Sequence, residues 1–192
     1  MIPSILHQIW LDNPIDKRVI PLMEKAKGVT DEYYLWTDKN IWKDINCDRV
    51  SFAKYWNIEV DNPVALSDIL RALIIQKYGG FYADSDIEFF RSLKNLTQED
   101  FISNIKEVNG DILRWNDFFG AIPNHPFINF LIIVARSCRR EKIHWTERVG
   151  FLLFERVIDI YKNLGKSLPL LSSVESDKLL RHHNLYTWRS KK

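Results

Sequence analysis

The sequence predicts an α/β fold built on a mostly parallel sheet, and three observations carry that reading. Short apolar, β-rich segments alternate with longer segments of helical period along the chain. The first strand, helix and second strand have lengths suited to a parallel βαβ crossover. An acidic pair, Asp84 and Asp86, follows directly on an apolar strand. Open α/β sheets bind ligands at such carboxyl ends. With 192 residues, 1–192 is read as one domain.

Residues 4–10 (SILHQIW) read as a buried strand, ended by a turn at Asn13-Pro14. Residues 16–27 read as a helix with Val19, Ile20, Met23 and Ala26 on one face. Tyr33 to Trp36 reads as the second strand. Asn62-Pro63 opens the clearest helix, residues 63–78, because Asn caps and Pro suits the first helical position. Gly79-Gly80 stops it. Phe81 to Ala83 restarts as a strand that runs into Asp84-Ser85-Asp86. Residues 111–115 and 118–122 read as strands, 127–140 and 146–163 as helices, and the tail from 179 as a basic segment.

Composition excludes several classes. Apolar residues at 46% supply a core, so disorder is excluded for most of the chain. A net charge of +2 is too small for a nucleic-acid protein that works by phosphate neutralisation. The longest apolar stretch, residues 130–135, is far short of the ~20 residues of a membrane span. No basic stretch and apolar run marks a signal peptide, and Cys47 and Cys138 lie in unrelated segments. The expectation is a cytoplasmic protein with reduced thiols; a single disulfide is the alternative.

Three clusters carry chemistry. In extended chain, Asp84 and Asp86 face the same side, and two such carboxylates need a counter-charge. Mn²⁺ or Mg²⁺ is the usual partner of an oxygen-only pair, against the plain alternative of a solvated turn. On the helix before it, Leu66, Ile69, Leu70 and Leu73 form a stripe. Asp68 and Arg71 lie opposite, about 60° apart, yet among Val64, Ala65, Ala72 and Ile75. They read either as a buried i,i+3 salt bridge or as a pair at a cleft rim that faces a phosphate or sugar hydroxyl. In the tail, His183 can ligate a metal and Trp188 can donate its indole N–H to an anion, against solvated side chains. A further cluster, Arg136, Arg139, Arg140 and Lys142, reads as a solvated helix end, or else as a contact with an anionic membrane surface or a lipid-diphosphate acceptor.

Four ordered blocks add a resemblance: residues 2–10 (IPSILHQIW), 35–38 (LWTD), 67–71 (SDILR) and 77–88 (KYGGFYADSDIE). They resemble the sugar-binding DXD glycosyltransferases of family 32, which include capsular-polysaccharide enzymes and fungal initiating mannosyltransferases. They are more distantly similar to the glucosyltransferase domains of large clostridial toxins. The match covers residues 2–88, and more loosely 111–127 and 182–188. It implies a GT-A, Rossmann-like fold and a retaining transfer of a hexose from a nucleotide-diphosphate sugar, UDP-linked first and GDP-mannose next, to a glycan or other hydroxyl acceptor. On the matching positions, Asp84 binds the donor ribose and the metal, and Asp86 holds Mn²⁺ or Mg²⁺ on the diphosphate. Asp68 and Arg71 contact the donor sugar, so Asp68, Arg71 and Asp86 are the implied catalytic set. Gln8, Ile9 and Trp10 line the base pocket, where Trp10 or Trp36 stacks. Tyr82, Ser85 and Asn116 join the substrate contacts. His183 becomes a third metal ligand and Trp188 a phosphate contact. Tyr186 and Thr187 depart from the small residue and Ser usual before the last Trp, a Gly-Pro turn is absent near Arg148-Val149-Gly150, and Ala83 fills a position that is often bulkier.

Two rivals remain at the sequence level. A non-catalytic nucleotide-sugar binding module would keep the pocket and lose turnover. A haloacid-dehalogenase-like phosphohydrolase also uses DxD after a strand, but wants it on the first strand with a later acidic pair. The expected partners are a nucleotide-sugar donor and a glycan or glycoconjugate acceptor, with no nucleic acid.

Overall fold

The computed structural model describes residues 1–12, 14–108 and 111–185. Asn13 and Trp188, with the roles expected of them, lie outside the described residues. The chain begins with β1 (Ile5–Trp10), α1 (Ile20–Ala26), β2 (Glu32–Thr37), α2 (Ile41–Asp44) and α3 (Arg49–Trp56). The long α4 (Pro63–Tyr78) leads into β3 (Gly80–Ala83) and β4 (Ile87–Phe89). Then come β5 (Phe101–Ser103), β6 (Lys106–Val108), β7 (Asp111–Leu113) and β8 (Phe118–Ala121). The remainder is α5 (Pro126–Cys138), α6 (Trp145–Arg148), α7 (Phe151–Asn163), α8 (Ser173–Leu179) and β9 (Leu180–His182).

The central sheet has the order β2-β1-β3-β8-β5. β2, β1 and β3 are parallel, and β8 runs antiparallel to both β3 and β5. Four of the five strands therefore point the same way, and the sheet is mostly parallel. Its strand register puts His7, Ile9, Trp36 and Tyr82 on one face, where α4, α5 and α7 close the larger core. Leu6, Phe81 and Phe118 face the other side and a smaller core under β4, β9 and α1. α4 is apolar nearly all round because it is buried by both the sheet and α5. Asn62 caps it by accepting from Ala65 N, and Gly79 ends it at φ +65°. A Cβ on Gly79 would stand 2.6 Å from Pro123 Cδ, so glycine is required both by conformation and by space.

Three expectations change. The helix predicted over 16–27 starts only at Ile20, because Pro21 suits a first turn and Asp16 instead accepts from the Arg18 amide and guanidinium. The helix predicted over 146–163 breaks into α6 and α7 at Gly150, whose backbone is extended. The strand predicted over 111–115 is β7, paired with β6 in a separate two-stranded ribbon.

Candidate functional site

The site grows from the carboxyl end of β3. Asp84 leaves the strand with its amide donating to Asp117 O at 2.8 Å, while Gln8 Nε2 on β1 donates to Asp84 O at 3.1 Å. Tyr33 OH on β2 fixes the Gln8 amide from its other end at 2.9 Å. Neighbouring parallel strands thus set where the first carboxylate begins. Tyr82 OH then donates to Asp84 Oδ1 at 2.7 Å.

Arg71 reaches the same oxygen. Its Nη2 lies 3.3 Å from Asp84 Oδ1 and 2.9 Å from Asp68 Oδ1. Its Nη1 donates to Asn116 O at 2.6 Å, and the guanidinium lies 4.6 Å from the centre of the Tyr82 ring. Asn116 Nδ2 donates to Asp68 Oδ1 at 2.8 Å. Of the two sequence readings, the buried i,i+3 salt bridge is the one present here. Arg71 is buried against Asp68 and holds the first DxD carboxylate as well. Gly150 is extended here because the junction of α6 and α7 lies on this group: a Cβ on it would be 3.0 Å from Asp68 Oδ2 and 2.8 Å from Thr146 Cα.

Asp86 is met by the late chain. β4 and β9 pair antiparallel with Ile87 opposite His182. His182 Nε2 sits 3.0 Å from Asp86 Oδ1, and the Leu185 amide donates to Asp86 Oδ2 at 3.0 Å. This corrects the placement expected for His183. Successive residues of a strand point to opposite sides. His183, just past the end of β9, turns away and bonds Glu88 Oε2 at 3.0 Å, a carboxylate that Lys25 also holds at 2.6 Å. The histidine at the carboxylates is His182. Asp84, Asp86 and His182 each offer a ligand atom, and these atoms lie within 4.8 Å of one another.

Sequence reasoning missed Asp117. It is buried just before β8, with Oδ1 accepting from Asn104 Nδ2 at 3.0 Å and Oδ2 3.8 Å from His182 Nδ1. Its visible signal was an acid directly preceding an apolar strand, the same pattern read backwards from β3. Ser85 is half-buried in the turn between the two carboxylates. Ile9 and Trp36 are buried in the larger core. Trp36 donates its Nε1 to His7 Nδ1 at 3.1 Å and packs on Tyr34 and Tyr78. Trp36 is thus built into the sheet, which leaves Trp10 as the candidate for base stacking. Trp10 ends β1 half-buried, and its indole N–H has no hydrogen-bond partner among the described residues.

Electrostatics follow from burial. Burial pushes the Asp68 carboxyl up to about 6, helped by Asp84 and opposed by Arg71 and Asn116. Burial also raises Asp84, with Asp86 and Asp117 adding and Arg71 opposing. At Asp86 burial works upward too, but the hydrogen bond and charge of His182 and the Leu185 amide outweigh it, and the carboxyl lies below its usual range. Burial lowers His182, yet Asp86, Asp117 and Asp84 together raise it. Four carboxylates thus face one arginine and one histidine. The excess of negative charge, with two carboxylates and an imidazole converging, fits a hard or borderline divalent cation such as Mn²⁺ or Mg²⁺.

The sequence and the fold have parallels in known proteins. Residues 7–102 match the family described as the glycosyltransferase sugar-binding region containing a DXD motif, and the chain belongs to it. Inositol phosphoceramide mannosyltransferase 3 of Schizosaccharomyces pombe is 28% identical over 141 residues, 72% of this chain and 38% of that one. The chain spans about two fifths of the length of the curated relatives it matches. Two solved structures share the fold. PaToxG glycosyltransferase superposes with a TM-score of 0.67 at 23% identity, over 85% of this chain and 70% of that one. The catalytic domain of alpha-toxin from Clostridium novyi gives 0.65 at 10% identity, over 98% and 79%. The fold is therefore the GT-A type expected from the sequence, shared with PaToxG glycosyltransferase and the alpha-toxin domain. Among the described residues no helix is long and apolar enough to cross a membrane.

Proposed function

We propose that this chain catalyses metal-dependent transfer of a hexose from a nucleotide-diphosphate sugar to a hydroxyl of a glycan or glycoconjugate, with retention of configuration. The observation that carries it is the meeting of Asp84, Asp86 and His182 at the carboxyl edge of the sheet, beside the buried Asp68–Arg71 pair. Mannose is the favoured hexose, because curated relatives are named mannosyltransferases; a GDP- or UDP-linked donor would present it. A cytoplasmic setting with Cys47 and Cys138 reduced belongs to this reading.

A divalent ion bound by Asp84, Asp86 and His182 would neutralise charge on the leaving diphosphate. The chain's own residues do the rest. Gln8 and the Asp117 carbonyl hold the Asp84 backbone, so the carboxylate is positioned before ligand arrives. Tyr82 and Arg71 share its Oδ1, so its other oxygen would be the one to hold the ion or the donor ribose. Asp68 is held by Asn116 and Arg71, which makes it a fixed acceptor for a sugar hydroxyl. Trp10 offers a ring face to the base. Such preorganised groups each contribute on the order of 10²–10³ in rate.

The test pairs binding with turnover. GDP-mannose and UDP-glucose, each with Mn²⁺, should raise the melting temperature of the parent, one more than the other, and the Asp86→Asn variant should lose turnover by at least about 10². Turnover by Asp86→Asn at the parent rate would sink the assignment. A metal-dependent shift with neither transfer nor donor hydrolysis would identify a binding module instead.

A further inference from the structure

The basic cluster at the end of α5 is not absorbed by the donor site. The end of α5 meets the end of α3 there: the Arg139 guanidinium sits 4.8 Å from the centre of the Tyr55 ring. Between α3, α4 and α5 runs an open cleft of about 580 Å³, floored by Phe52, Trp56 and Leu73 and rimmed by Lys77 and Arg136. The surrounding surface is apolar and cationic together. Ile133 is 60% exposed, Val50 64% and Tyr55 49%. Arg136 follows Ile133 by one turn on α5, Arg140 comes two residues past the end of that helix, and Lys54 lies one turn beyond Val50 on α3.

The charges of this face are available. Among the described residues none of Arg136, Arg139 and Arg140 is ion-paired with a carboxylate. Asp44, by contrast, is occupied by Lys77 at 3.0 Å and by Tyr78 OH, and Asp48 is occupied in capping α3. Glu141 is the exposed acid beside the cluster. Unpaired arginines flanking exposed aliphatic side chains complement a surface that is anionic outside and apolar beneath. A nucleic acid would meet the cations but leave Val50 and Ile133 without a partner.

We propose that this face docks the protein on an anionic membrane surface. The cations lie at the headgroups, while Ile133, Val50 and the Tyr55 ring enter the boundary with the acyl chains. The face also joins the edge that carries the site. Arg49, in the first turn of α3, pairs with Asp12 and Asp38 just beyond the ends of β1 and β2. Arg148 Nη1 donates to Asn57 O on one side and Arg139 O on the other. Gly150, two residues on, lies against Asp68. Docking therefore sets the carboxyl edge near the bilayer, where a membrane-borne acceptor hydroxyl is presented. The proposal stands whether or not the donor assignment holds.

Co-sedimentation of the full chain with vesicles tests it. Vesicles of equal phosphatidylcholine and phosphatidylserine should bind the protein, and vesicles of phosphatidylcholine alone should not. Binding should fall as salt shortens the Debye length. At about 1 kcal/mol per basic residue near the surface, Arg136→Glu with Arg140→Glu should weaken binding about thirtyfold or more. Ile133→Ser, which changes no charge, should weaken it severalfold and keeps the test alive if the double variant misfolds. Equal binding to both vesicle types, or parental binding by these variants, would overturn the proposal. So would displacement by inorganic phosphate at an ionic strength where sodium chloride has no effect, which would mark a site for a discrete anion. A lipid-free dimer that the double reversal splits would assign the face to a second copy and equally refute it.

Discussion

His7 lies in the middle of β1, buried between β2 and β3, and its protonation offers a sharp test of the sheet beneath the site. Its Nε2 donates to Gly79 O at 3.1 Å, while its Nδ1 accepts from Trp36 Nε1 at 3.1 Å. Both ring nitrogens are committed, so the imidazole is neutral with its proton on Nε2. A second proton on Nδ1 would face the Trp36 N–H, donor against donor. Burial lowers the pKa from 6.5 to about 4, with the Gly79 bond opposing. Below 6.5 the unfolded chain takes up a proton that the folded chain refuses, so this contribution to stability is lost as pH falls from 6.5 towards 4. At about 1.4 kcal/mol per pH unit the full loss is about 3 kcal/mol, of which about 2 kcal/mol is gone by pH 5. Other groups titrate over the same range, so the measurement is a difference. Urea unfolding of the parent and of His7→Gln at pH 7.5 and pH 5 should show a pH-dependent loss larger in the parent by about 2 kcal/mol. Equal losses in the two proteins would refute the buried neutral tautomer.

Other consequences follow from the site. His182→Ala should weaken Mn²⁺ binding by at least about tenfold in titration calorimetry, whereas His183→Ala should leave it nearly unchanged; the reverse order would return the ligand role to His183. Asp68 has its carboxyl raised to about 6, so its ionisation opposes folding above the ordinary carboxylate pKa, and fully so above 6. Asp68→Asn should therefore unfold no more easily than the parent at pH 7 while losing transfer, and a variant that is both less stable and fully active would contradict the assignment. Gly150→Val should force the α6–α7 junction off Thr146 and Asp68, lowering kcat by about 10² with the donor-free melting curve still cooperative; wild-type kcat would show that the junction does not position Asp68.

Much of this was legible along the chain because local physics decides it. Asn62-Pro63 and Gly79-Gly80 bracket α4 by capping and backbone conformation, and those effects need only neighbouring residues. Asp84 and Asp86 declare themselves by spacing and by the strand before them. Asp68 and Arg71 could be singled out because two charges on an otherwise apolar helix must be satisfied somewhere. Local pattern could not say where. That Arg71 bridges Asp68 to Asp84 depends on α4 lying across β3, a packing decision made by the larger core.

The late chain shows the same division more sharply. Residues 182 and 183 are chemically identical, so sequence could offer a histidine but not choose one. The pairing of β9 with β4 chose His182, since strand alternation admits one of two adjacent side chains to a given face. Asp117 became a fourth carboxylate only because β8 returns antiparallel beside β3 and brings their ends together. Residue type and spacing, then, determined the elements and the chemistry on offer here. Tertiary structure decided which groups share one volume, because contacts across long stretches of chain depend on register and packing that no local window contains.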